Sequence, residues 1–249
     1  GKGAFDYVLK ISGLVKGEPI VIPFKSHKRL NYWLGKPGAG LLQGCTLGNG
    51  WAALWIEVPV AEPKPGRVIA VDIGVNKLLV DSDGVQYGLE TKAVCARVRR
   101  CKPQSRGRQR ASRARKDYIN REVKKLPWGS IGTLGVERLK NLKLGKQPGR
   151  GKPFRKAIAP WTYRQALNRI GQLAQEHRVC LVHVDPRNTS RTCPSCKTVA
   201  KESRRGERFQ CVKCSFTADA DFVGALNVLV RAHPNSHESM VRECFAKKS

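Results

Sequence analysis

The sequence predicts an α/β fold, a mixed sheet with helices that carries an inserted four-cysteine ribbon and follows a partial β-rich domain. Three observations predict it. Short apolar strands at 67–74, 131–137 and 179–186 are separated by helical stretches. Two CxxC pairs lie close together late in the chain, at Cys193/Cys196 and Cys211/Cys214. Isolated carboxylates, Asp72, Glu137 and Asp221, stand at the ends of apolar segments in that order.

The elements follow in order. Residues 5–60 contain FDYVLKI, PIVIPF and GWAALWIEVPV, apolar or alternating runs broken by Gly and Pro, which read as strands. EPKPG at 62–66 reads as a hinge. RVIAVDIG is a buried strand, KLLV a second, and the DSDG turn leads to a third near Val85–Leu89, together an antiparallel meander. Residues 92–125 hold 14 Lys and Arg against Asp117 and Glu122, with Pro103 and Gly107 between two helical pieces. A strand at Ile131–Glu137 follows. Residues 138–156 carry eight basic and no acidic residues with Pro148, Gly149 and Gly151, which reads as a mobile basic loop. Trp161, Leu167, Ile170, Leu173 and Ala174 set an amphipathic helix over 160–177, VCLVHVDP a buried strand, and Asp221–Arg231 a last helix.

Lys and Arg outnumber Asp and Glu by 47 to 19, a net charge of +28. That excess points to a polyanionic partner, most simply nucleic acid. There is no apolar run long enough for a membrane span and no signal peptide pattern, so an intracellular, cytoplasmic or nucleoid-associated protein is expected. Cys45, Cys95, Cys101, Cys180 and Cys244 are scattered and read as small hydrophobes or plain thiols.

The paired cysteines are 14 residues apart, against the usual spacing of about 15–20. Four thiolates about 2.3 Å from a tetrahedral Zn²⁺ need two such turns, so a structural zinc on Cys193, Cys196, Cys211 and Cys214 is expected. A closed four-thiolate site has no open position for catalysis. The intervening KTVAKESRRGERFQ is basic and hairpin-like, with Gly206 at its turn.

Nucleic-acid hydrolysis by two divalent ions needs carboxylates that converge on a pair of ions about 3.5–4 Å apart. Mg²⁺ or Mn²⁺ prefers such oxygen ligands. An Asp inside an apolar strand is costly unless paired or metal-bound, which singles out Asp72. Asp221 begins a helix, where Asp is also common as a cap. Asp219 competes with it for the third place. Two strands and a helix each supplying a carboxylate is the arrangement of a ribonuclease-H-like fold.

With VIAVDIGVNKLLV, GVERLKNLK, VDPRNTSRTCPSC, CVKC and DADFVGALNVL in place, the chain resembles the C-terminal part of TnpB/OrfB-type transposon proteins and the related type V CRISPR effector nucleases. The resemblance covers roughly residues 67–231. It implies a RuvC nuclease domain, with first part 67–186 and last part 219–249, interrupted by a zinc-ribbon, target-nucleic-acid-binding insert at 187–218. It also implies that 1–62 is the end of a wedge-type domain and that an N-terminal recognition region is missing. Carried over by position, Asp72, Glu137 and Asp221 are the nuclease triad. DNA is the implied target, and a guide RNA the implied partner.

Phosphate contacts are expected from Arg106, Arg108, Arg110, Arg113, Arg115, Lys116, Lys143, Lys146, Arg150, Lys152 and Arg155. Trp128 and Trp161 could stack on bases, but isolated aromatics more often pack in a core. Two departures stand out. Lys197 and Ser215 replace the Gly that the family has after each CxxC, which calls the tight knuckle turns into question. Val223 and Gly224 replace its Asn and Ala. Two other functions fit the same residues: a nucleic-acid-binding module that does not cut, and a nuclease specific for DNA junctions.

Overall fold

The computed structural model describes residues 5–13, 15–49, 51–59, 62–74, 76–138 and 160–233. The basic positions Lys143, Lys146, Arg150, Lys152 and Arg155, the side chain of Trp161, and Cys244 lie outside the described residues. The chain divides into two compact units, Gly1–Ala61 and Glu62–Ser249.

The first unit holds two separate antiparallel hairpins and a short helix. Strands β1 (Tyr7–Ile11) and β2 (Ile20–Phe24) pair across their whole length. Strands β3 (Gly40–Gly48) and β4 (Trp51–Glu57) form the second hairpin, with an irregularity between Leu41 and Cys45. Gly44 within it has φ +105°, a conformation that disfavours a side chain. Helix α1 (Lys28–Leu34) and strand β3 are both absent from the sequence reading. α1 is short and opens on an unusual cap, His27, whose Nδ1 accepts from the Leu30 amide.

The second unit is built on a five-stranded mixed sheet in the order β7-β6-β5-β8-β9. β5 (Arg67–Ile73), β6 (Leu79–Asp81) and β7 (Gln86–Tyr87) form the antiparallel meander. β8 (Ile131–Glu137) and β9 (Cys180–Val184) run parallel to β5, which places β5 at the centre. Parallel pairing needs crossovers, supplied between β5 and β8 by helices α2 (Thr91–Arg100) and α3 (Arg106–Lys124). Helix α4 (Pro160–Glu176) precedes β9.

Strand alternation sorts side chains into two layers. Ile69, Val71 and Ile73 of β5 join Leu134 and Val136 of β8 in a core completed by Ile119 and Val123 of α3 and Ile170 and Leu173 of α4. The opposite face carries Ala70, with Val68 against it, and is covered by Val228 and Leu229 of helix α5 (Ala220–Ala232). Gly135 is small because α5 comes close: a Cβ there would lie 2.8 Å from the Ala232 methyl and 3.2 Å from that of Ala70. Asp72 and Glu137 are in phase with Ala70 and Gly135, so both belong to the α5 face.

The 62–66 segment, read as a hinge, is fastened within its own unit. The Lys64 amide donates to the Arg178 carbonyl at 2.9 Å, and its Nζ to the carbonyls of Trp128 and Gly129. Trp128 is buried and stacks on His177 with ring centroids 5.7 Å apart, so core packing explains it. The described residues include no helix long and apolar enough to cross a membrane.

Candidate nuclease and zinc sites

Val71 of β5 pairs with Val136 of β8, so Asp72 and Glu137 are the next residues along two adjacent parallel strands. Neighbouring strands lie about 4.8 Å apart. The two carboxylates therefore meet at the carboxyl end of the parallel strands, the edge where open α/β sheets place their ligands. Asp221 arrives from α5. A Cβ on Gly224, one helical turn further along, would lie only 2.7 Å from Asp72 Oδ2, so the missing side chain lets the helix lie directly over Asp72.

The electrostatics record the convergence. Burial pushes Asp72 well above the usual carboxylate range, and the charges of Glu137 and Asp221 push it further. Burial likewise raises Glu137, against a hydrogen bond from Thr189 and the positive charges of Arg231 and Arg204. Burial raises Asp221, opposed by Arg204 and Lys77. Tyr163 of α4 is close enough to feel all three: burial, then Asp72, Glu137 and Asp221, raise its phenol.

Asp219, the competitor for the third place, is committed elsewhere. Its Oδ1 accepts from the amides of Asp221 and Phe222 and so caps α5, while Oδ2 pairs with Lys77. Burial alone would raise its pKa. The Lys77 contact and those two amides outweigh it and hold Asp219 low. Capping of this kind typically contributes about 1 kcal/mol. Asp219 thus fixes the start of α5 and with it the place of Asp221 in the first turn.

The ribbon is a three-stranded antiparallel sheet of β10 (Arg204–Arg205), β11 (Arg208–Gln210) and β12 (Thr217–Asp219). Cys193 Sγ lies 3.6 Å from Cys214 Sγ and Cys196 Sγ 3.5 Å from Cys211 Sγ. A tetrahedron of thiolates about 2.3 Å from zinc has edges of about 3.8 Å, so these thiols fit the ion. Among the described residues they form the one group of three or more His, Cys, Asp or Glu residues whose ligand atoms lie within 4.8 Å of one another.

The knuckle turns form without glycine. Lys197 has φ 61° and Ser215 φ 58°, and their amides close onto the carbonyls of Cys193 and Cys211 at 3.0 and 3.1 Å. A side chain in this region costs about 1–2 kcal/mol, which the cage tolerates. The concern raised by the missing glycines does not hold.

Three functional neighbours escaped the sequence reading. Arg204, in the hairpin, reaches Asp221 Oδ1 at 3.1 Å and ties the ribbon to one of the three carboxylates by an ion pair. Thr189 donates to Glu137 Oε1 at 2.6 Å. Arg231 of α5 donates to the Asp185 carbonyl and feels Glu137. The local signal for Arg204 was the SRRGER turn, read as a basic hairpin with no carboxylate partner.

Of the basic residues on α3, Arg106, Arg110, Arg113 and Lys116 are exposed and Arg108 is half-buried. Arg115 differs. It is 5% exposed, and burial lowers its pKa to about 10. It lies on the inner face of the helix, one turn from the buried Ala111 and Ile119.

Residues 163–228 match the family described as Cas12f1-like, TNB domain. The chain is related to the TnpB and type V CRISPR effector proteins. A CRISPR-associated endodeoxyribonuclease Cas12f1 from Sulfoacidibacillus thermotolerans is 29% identical over 100 residues, covering 40% of this chain and 22% of that protein. A second Cas12f1, from an uncultured archaeon, is 27% identical over 105 residues, 39% of this chain and 19% of the relative. The aligned parts thus span about a fifth of these type V relatives. The cryo-EM structure of a Cas12f1–sgRNA–target DNA complex superposes with a TM-score of 0.50 at 22% identity, covering 74% of this chain and 53% of that one. That similarity is one of fold.

Proposed function

We propose that this chain is the nuclease-bearing part of an RNA-guided, metal-dependent DNA endonuclease with a ribonuclease-H-like, RuvC-type site. The observation that carries the proposal is the meeting of Asp72, Glu137 and Asp221, from a central strand, its parallel neighbour and a capped helix, on one face of the sheet. An all-oxygen set of carboxylates, Asp221 buried and Asp72 and Glu137 half-buried, suits Mg²⁺ or Mn²⁺ and not zinc, which has its own thiolate cage. Bound there, a pair of such ions would supply the positive charge that phosphodiester hydrolysis needs on its attacking and leaving oxygens.

The chain's own residues do the rest. Gly224 lets α5 lie directly over Asp72. Asp219, held by Lys77, sets the start of α5 and with it Asp221. The exposed Arg106, Arg110, Arg113 and Lys116 offer sequence-independent phosphate contacts. A guide RNA and a DNA target come from the relatives' names and from the excess of 47 basic over 19 acidic residues.

A binding module that does not cut is the second reading. The Arg204–Asp221 ion pair favours it, because a guanidinium already neutralises one of the three carboxylates. Cleavage assays with Mg²⁺ beside gel shifts separate the two. Asp72→Ala, Glu137→Ala and Asp221→Ala should each abolish cutting and leave binding largely intact. Wild-type cutting by Asp221→Ala would transfer its role to Asp219.

A further inference from the structure

Glu137 is held from one side by a residue outside its own strand and outside the two CxxC pairs. Thr189 sits in the turn between β9 and the first CxxC and is only 4% exposed. Its hydroxyl oxygen lies 2.6 Å from Glu137 Oε1 and 3.0 Å from the Pro186 carbonyl. A hydroxyl has one proton to give, and the shorter, charge-assisted contact takes it.

The turn that carries Thr189 is itself clamped. Asn227 of α5 is buried and spends both amide protons on it, one to the Thr189 carbonyl at 2.7 Å and one to the Thr192 carbonyl at 2.8 Å. Thr192 Oγ1 returns to the Asn188 carbonyl at 2.8 Å, and Asn188 takes φ 60° to make the bend. Asn227 is six residues beyond Asp221 on the same helix. One connected set of hydrogen bonds therefore runs from the helix that bears Asp221, through the base of the ribbon, to the carboxylate of Glu137.

We propose that Thr189 is a positioning residue for Glu137, an inference that rests on the nuclease reading of the three carboxylates. Its hydroxyl fixes one oxygen of Glu137, which sets the plane of the carboxylate and leaves Oε2 available to a divalent ion. Asn227 keeps the hydroxyl in register. Such hydrogen-bonding partners of metal-ligating carboxylates typically change metal affinity about 10–100-fold when removed.

The test is Mn²⁺ binding to the zinc-loaded chain, followed by the electron paramagnetic resonance signal of free Mn²⁺, with thermal melts and zinc content as controls of folding. Thr189→Val keeps the shape and removes the proton; it should weaken Mn²⁺ affinity by about tenfold or more. Thr189→Ser keeps the proton and should restore affinity to within about twofold of wild type, which a merely structural threonine would not do. If the valine variant does not fold, Thr189→Ala is read against Thr189→Ser in the same way. Glu137→Ala separates the two levels. If it weakens Mn²⁺ binding while Thr189→Val does not, the positioning role is wrong and the metal site stands. If Glu137→Ala has no effect, the metal site has failed and the positioning role falls with it.

Discussion

Replacing Asp72 by Asn should make the metal-free protein more stable while removing the metal-dependent cleavage proposed above. Asn has the volume of Asp, so no cavity opens beneath α5, where a Cβ on Gly224 would already come within 2.7 Å of Oδ2. What changes is charge. In the native fold the Asp72 carboxylate bears the desolvation of a buried site, then repulsion from Glu137 and from Asp221. Arg204 and the Ile73 amide offset these only in part. Single stabilising substitutions commonly contribute about 0.5–2 kcal/mol. For a chain of this size that is about 1–8 °C in melting temperature.

The sign with pH follows from proton binding. The folded pKa lies well above the ordinary 3.8, so between the two values the folded state holds more protons than the unfolded chain. Wild-type stability therefore falls as pH rises through that window, while Asp72→Asn has no proton to lose there. The advantage of the variant should be small at the acid end and complete once pH passes the raised value. Thermal melts of both proteins across pH 5–8, without added divalent ions, measure it. Added Mn²⁺ should then raise the melting temperature of wild type more than that of the variant. An Asp72→Asn protein that melts no higher than wild type at pH 8, or a gap that does not grow with pH, would refute the reasoning.

Two further outcomes are expected. The chain should purify under reducing conditions with a single zinc ion, and Cys211→Ser should lose the metal and the fold of the ribbon together, because site formation and local folding are coupled; elemental analysis and near-ultraviolet circular dichroism check both. Nucleic-acid affinity should fall steeply with salt, by about 0.7–0.9 logarithmic units per logarithmic unit of salt for each phosphate contacted. Charge reversal at Arg106, Arg113 and Lys116 should flatten that slope equally for all sequences, whereas the buried Arg115 should affect stability instead; binding titrations from low to high salt decide it.

Much of this was legible in the chain because it is local. The strand Ile131–Glu137 was bounded correctly from its apolar run, and 160–177 was read as a helix from spacing alone. The four thiols that the two CxxC turns implied do lie together. Short or weakly patterned pieces were missed. α1 has one buried residue, Leu30, and β3 has none, so neither carries the periodicity that burial imprints. The left-handed turns at Lys197 and Ser215 were doubted because residue type argued against them, and closure of the thiol cage overrode that preference.

By itself, the sequence determined which side chains share a face. Alternation along β5 and β8 puts Asp72 and Glu137 in phase with Ala70 and Gly135, and an apolar helix with Asp221 in its first turn supplies the cover. Only the tertiary structure decided what surrounds them. Thr189, Arg204 and Asn227 are ordinary polar residues whose neighbours lie 52, 17 and 38 positions away in the chain. Arg115 and Arg113 look alike in the sequence, yet one is buried and the other exposed. Periodicity is a property of the backbone and can be read from one segment. Hydrogen-bond partners and burial depend on which distant segment the fold brings alongside, and no single segment records that.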